Sequence, residues 1–205
     1  MGQFPRFFIY HSFLQGAFMN QTITSILERR SIRAFKPEPV PEREVNWILE
    51  AGLYAATSRN KQPWFFSVVT NKTILDKITR GTLETMRTTN IEQYKIKAQD
   101  PGFSPFYNAP TVIFLSGKDD ETSAVIDCAN AAQNMCVAAY SLGLGSCYVR
   151  SFKQAFEDRT LAAELNKELG LPEGYSTIFA VALGYTDEPH PNTPHRNRDV
   201  IRYIK

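Results

Sequence analysis

Between residues 20 and 205 the chain alternates short apolar runs with longer amphipathic stretches. In "NQTITSILERR", Ile23, Ile26 and Leu27 show helical spacing. "SILE" at 25–28 matches a capping box, so a helix is expected that ends near Arg30 and delivers an arginine cluster. In "VPEREVNWILEAGLYAAT", Pro41 suits the first helical position and acids fill the first turn. Val45, Ile48, Leu49, Gly52, Leu53 and Ala56 then make one face. "PWFFSVVT" is aromatic and β-branched, which predicts a strand. Residues 73–87 carry a patchy helical pattern. Residues 88–107 are polar and irregular, as in a lid or excursion.

"TVIFLS", 111–116, is a near-continuous apolar run, which suits a strand covered on both faces. Residues 122–142 give the strongest predicted helix. Small or apolar residues occupy most of its circumference, so it should be central, with Gly143 as its stop. A short strand around Tyr148, a helix over about 153–169 ending at Gly170, and a long strand in "YSTIFAVALGY" follow. The tail starts Pro-rich and finishes apolar. No repeat and no long linker interrupts this order. The pattern predicts an α/β (α+β) sandwich, a mixed central sheet flanked by helices.

Residues 1–19, "MGQFPRFFIYHSFLQGAFM", stand apart. They are aromatic, but His11 and Gln15 interrupt the run, and the segment is too short and polar to span a membrane. They read as an appendage outside a single domain over 20–205, or as an arm that packs on a partner subunit.

Composition narrows the function classes. Lys+Arg number 23 and Asp+Glu 21, a net charge of +2, which argues against a nucleic-acid surface. Cys128, Cys136 and Cys147 are odd in number and lack metal-ligand spacing; they read as buried thiols in a reducing cytoplasm. His11, His190 and His195 form no metal-binding pattern. Against this neutral background the cluster Arg29, Arg30, Ser31 and Arg33 is local.

Neither GxGxxG nor GxxxxGK occurs, so any phosphate must be held by side chains. Arginine suits that task, because its planar fork makes paired, charge-assisted bonds to phosphate oxygens. Arg29 and Arg33 stand i, i+4 with Ser31 between them; a basic helix end complementing the helix dipole is the other reading. Thr57, Ser58, Asn60 and Gln62 put four hydrogen-bonding side chains in one connection, where ordinary capping would also use them. The glycines of "GLGSCYVRSF" let backbone approach a ligand, or simply stop a helix. Arg196, Arg198 and Arg202 form a basic tail, either solvated or a second phosphate contact.

"RRSIRAF", "TSRNKQPWFF", "AAQNMCVAAYSLGLGSCYV" and "ALGYTDEP…PHRNRDV" occur in the order found in the FMN-dependent nitroreductase family, which the chain resembles from about Ile23 to its C-terminus. The resemblance implies an intertwined homodimer with FMN in the interface. It places Arg29, Arg30, Ser31 and Arg33 at the FMN phosphate and ring edge, and Thr57, Ser58 and Asn60, with Gln62 behind, in the loop that the other subunit lays on the flavin. Tyr148, Val149 and Arg150 match the segment whose backbone N–H faces flavin N5. Arg196, with Arg198 as companion, matches the phosphate-binding tail. Ala56 stands where the family often has proline. The implied activity is ping-pong transfer from NADH or NADPH through FMN to a nitroaromatic, quinone or similar small acceptor, with no acid–base side chain of its own. A flavin sensor or carrier, a reductive dehalogenase and a flavin-destroying enzyme are the alternatives on the same scaffold.

Overall fold

A computed structural model describes residues 20–188 and 191–205, so the expected appendage at 1–19 lies outside the described residues. The elements run α1 (Gln21–Glu28), α2 (Glu42–Leu53), β1 (Trp64–Val69), α3 (Lys72–Thr88), α4 (Glu92–Lys97), β2 (Thr111–Lys118), α5 (Ala124–Ser141), β3 (Gly145–Val149), α6 (Arg159–Glu168) and β4 (Tyr175–Gly184). Two 3₁₀ segments lie at Ser58–Asn60 and Ser151–Phe156.

The apolar run of β2 is the centre. Its side chains alternate between two cores: Ile113 and Leu115 face one, Val112 and Phe114 the other. All four are fully buried. Complete burial of such side chains stabilises by roughly 1.5–3 kcal/mol each. β4 repeats the alternation, with Val181 and Leu183 in the first core and Ala180 and Ala182 in the second. The sheet order is β1-β2-β4-β3, with every neighbouring pair antiparallel. The sheet is thus antiparallel where a mixed one was expected; only an isolated parallel bridge, outside the strand pairings, joins Ser31 to Ser146 on β3.

Helices cover both faces. α2 and α5 close the first core; Gly52 lets them approach, because a Cβ there would strike the Met135 side chain. α3, α6 and the second 3₁₀ segment close the other core around Phe106, Phe114 and Phe152, whose rings lie 5.2–5.8 Å apart.

Several boundaries differ from expectation. α1 is capped by Asn20, whose side chain accepts from Thr22 N–H at 2.8 Å; Ser25 instead bonds back to Gln21 O inside the helix, so "SILE" is not a capping box. That helix ends at Glu28, and Arg29–Arg33 are not helical. Pro41 is the N-cap of α2 rather than its first residue. Leu53 and Ala56 are exposed, outside the α2 core face. The span 153–169 is a 3₁₀ segment followed by α6, because Asp158 caps Leu161 N–H at 2.8 Å and starts a new helix. The irregular stretch 88–107 contains the short helix α4.

Candidate functional site

Leaving α1, the chain runs extended along the outer edge of β3. Ile32 N–H donates to Ser146 O at 2.9 Å, which fixes the register of the strap. Ile32 is buried against Gly145; a Cβ at Gly145 would lie 3.0–3.2 Å from Ile32 atoms. Arg29 and Arg33 flank this anchor, and both act on Cys147. Burial pushes that thiol up, and Arg33, Ser31 and Arg29 partly offset the rise. Burial likewise raises Cys136, offset by Ser146 and Arg29.

Arg30 turns the other way. Its guanidinium donates to Leu27 O at 2.8 Å and Arg29 O at 2.7 Å, and to the hydroxyl of Thr193 in the tail. Burial, then Arg196, then Arg29 hold Arg30 below its usual range. Three guanidiniums from the two ends of the chain therefore share one field. Residues 193–199 curl around a cavity of about 400 Å³ that includes Arg196 and Arg198.

Among the described residues the ion pairs are made by lysines: Lys36, Lys61, Lys72, Lys77 and Lys118. None engages the arginine cluster. The Nε atoms of Arg29 and Arg30 are buried without a hydrogen-bond partner. Buried donors normally find acceptors, and like charges normally find a counter-charge. This donor set fits a phosphate, which supplies both.

Arg33 stands at the exposed edge. Its guanidinium lies 5.8 Å from the Tyr107 ring centroid, and its backbone N–H donates to Glu188 at 3.1 Å. A hydrogen bond with Tyr107 is the main cause that raises Arg33 further. Tyr148 projects from β3 with its ring 4.9 Å from that of Phe179 and 43% of its surface open. Burial pushes its hydroxyl up to about 12, so it stays neutral and offers a flat, uncharged surface. Val149 is buried beneath it, and Arg150 leaves the strand exposed. Three contributors were not found from sequence: Tyr107 sat in the stretch read as a lid, Thr193 in a coil, and Tyr140 in a helix read as apolar. The Tyr140 hydroxyl donates to Glu28 at 2.9 Å beside Arg30.

The loop with Thr57, Ser58, Asn60 and Gln62 lies elsewhere. Lys61 pairs with Glu121, just before α5, at 2.7 Å, and Asn130 donates to Ala56 O at 3.2 Å. Tyr140 and the arginines sit at the opposite end of that helix. Its 18 residues make it about 27 Å long at the standard rise. Within one chain the loop and the arginines are not brought together. Arg59, Asn60 and Gln62 all adopt left-handed backbone, φ 54, 54 and 49°. The shape is held by Gln62 donating to Asn60 at 3.0 Å and to Thr57 Oγ1 at 3.4 Å. Non-glycine residues rarely accept such strain without a surrounding reason.

Known proteins share this architecture. A nitroreductase from Bacteroides fragilis, solved with bound FMN, superimposes with a TM-score of 0.84 at 28% identity, covering 91% of this chain and 100% of that one. A nitroreductase with bound FMN from Desulfitobacterium hafniense gives 0.84 at 30% identity, over 92% and 100%. The NADPH-flavin oxidoreductase of Vibrio harveyi is 30% identical over 174 residues, 83% of this chain and 68% of that protein. The model of the nitroreductase family matches residues 26–185, from the last turn of α1 through all four strands, and the chain belongs to that family.

Proposed function

We propose that residues 20–205 act as one FMN-binding domain of an NAD(P)H oxidoreductase that works as a homodimer. The carrying observation is a set of three guanidiniums that share one field and enter no ion pair among the described residues, with Glu28 the one carboxylate acting on Arg30 and two of the three carrying orphaned buried Nε donors. Bound FMN supplies the redox chemistry, accepting and returning a hydride. The chain's own residues position it. Arg29, Arg30 and Arg196, with Ser31 and Arg198, hold the phosphate through charge-assisted bonds. Arg33, kept cationic beside Tyr107, stabilises negative charge at the ring edge. Tyr148, Val149 and Arg150 offer backbone and a neutral face beside the ring.

Two copies complete the site. A two-fold axis across α5 lays the helix antiparallel on its own copy. The loop with Thr57, Ser58, Asn60 and Gln62 then reaches the other copy's arginines. Exposed apolar residues support this interface: Ile23, Ile26 and Leu27 on α1, Trp47 and Leu53 on α2, and Val125 and Ile126 on α5. The open tail residues Val200, Ile201, Tyr203 and Ile204 support it too. Donor and acceptor, a nitroaromatic or quinone, use one pocket in turn, so reduction is ping-pong. Three unpaired thiols suit a reducing compartment such as the cytoplasm.

The purified protein is expected to be yellow and to lose its flavin absorbance on anaerobic addition of NADPH. With a quinone, double-reciprocal plots should be parallel. A colourless protein that takes up no added FMN overturns the reading.

A further inference from the structure

β3 ends at a second basic site that the arginine cluster does not use. A cavity of about 690 Å³ opens where Arg150 leaves the strand, between α4, α6 and the segment Ser151–Phe156. Arg150 and Lys153 line it from the end of β3 and the segment after it, and Lys97 from α4. One carboxylate, Glu157, shares the lining, and no ion pair among the described residues links it to those cations. Lys153 is half-buried; burial, then Arg150, hold its ammonium below the usual lysine range. An anion entering the cavity relieves that repulsion and part of the desolvation penalty.

A second demand comes from Asn166. Asn166 shares the lining; its Oδ1 lies buried behind the surface with no hydrogen-bond partner, so it meets a ligand when the side chain turns into the cavity. An orphaned acceptor needs an O–H or N–H donor. A bare anion answers the cations and leaves Asn166 unsatisfied. A phosphorylated ribose answers both, and the volume lies within the range of small-molecule pockets. Tyr94, on α4, adds an aromatic surface at the rim for a base.

We infer that this cavity receives the 2′-phosphoribose end of NADPH, with Lys153, Lys97 and the Arg150 side chain on the phosphate and Asn166 Oδ1 accepting from a ribose hydroxyl. The inference rests on the oxidoreductase reading above and extends it to a preference for NADPH over NADH. The position is compatible: Tyr148 and Lys153 are five residues apart, at most about 18 Å of chain, within the span of a dinucleotide whose nicotinamide lies beside Tyr148.

The test uses the FMN-loaded protein and two fragments, adenosine 2′,5′-bisphosphate and 5′-AMP, with affinities measured by calorimetry without turnover. The bisphosphate is expected to bind at least about tenfold tighter, as expected for a charge-assisted contact. K153Q and K97Q should each shrink that ratio several-fold, and the double variant should bring it near one. In turnover the NADPH-to-NADH ratio of kcat/KM should fall in parallel. Equal affinities for the two fragments, or a ratio unmoved in the double variant, would overturn the inference. A yellow, NAD(P)H-bleached protein with equal affinities defeats this inference alone. A protein that takes no FMN defeats the oxidoreductase reading instead.

Discussion

The strap at 29–33 and the loop at 57–62 are both polar connections, yet they are built by opposite means. The strap borrows order from the sheet: a backbone bond to Ser146, a parallel bridge, and Ile32 driven against Gly145. The loop is exposed; its own side chains hold its bend, with three left-handed residues in four positions, and Lys61–Glu121 and Asn130–Ala56 O tie it to the start of α5. One is an arginine-bearing strap docked on the outer edge of the sheet. The other is a strained shape whose Thr57, Ser58, Asn60 and Gln62 side chains lie away from the arginines of its own chain. On the proposed reading, an anion grip and a ring contact are encoded at opposite ends of one helix and would be joined only by symmetry.

The sharpest way to break this contrast is to remove its first member. Arg29→Ala deletes a charge-assisted donor and should weaken FMN binding about 10–100-fold, read as flavin absorbance retained after desalting. Retention unchanged from wild type would mean the strap is not the grip. Next comes a test of symmetry. Asn60→Val forces a β-branched residue into left-handed backbone, and the variant alone should also lose flavin. If the loop serves the other copy, co-refolding Arg29→Ala with Asn60→Val restores one intact site in each mixed dimer, about a quarter of wild-type flavin content. If the loop serves its own chain, nothing is restored.

A smaller effect tests how the strap is anchored. Gly145→Ala should press on Ile32, cost about 1–3 kcal/mol in thermal or denaturant unfolding, and lower FMN affinity along with stability. The same substitution should leave the Lys61–Glu121 pairing of the loop intact. The smallest effect is at high pH. Burial first, then its bond to Glu28, pushes the Tyr140 hydroxyl beside Arg30 up to about 12 from an ordinary 10. A raised folded-state value means its contribution is complete below pH 10 and disappears as pH rises through about 12. Tyr140→Phe should flatten that part of the melting-temperature profile.

Much of the fold was legible because burial writes itself as pattern. The unbroken run in β2 predicted a strand covered twice, and Gly143, with φ 76°, ends α5 as expected. The errors were local. "SILE" satisfied the capping pattern, but Asn20, five residues earlier, won the helix start. Arg29 and Arg33 were read at helical spacing, while the docking of Ile32 on β3 pulls that stretch extended. The split of 153–169 was hidden because Asp158 looks like any exposed acid until it caps a helix. In the site, the arginines stood out against a neutral chain. Tyr107 and Thr193 did not, since a residue recruited across more than seventy positions leaves no periodic trace.

The division of labour between cations has a consequence for the protein's life in the cell. Lysines are spent on ordinary surface pairs, and the arginines are left facing one another. An anion that binds this field only in the folded chain would stabilise it, so on the proposed reading ligand capture and structural integrity are thermodynamically linked. If FMN is that anion, the empty form should be cut by protease faster than the loaded one.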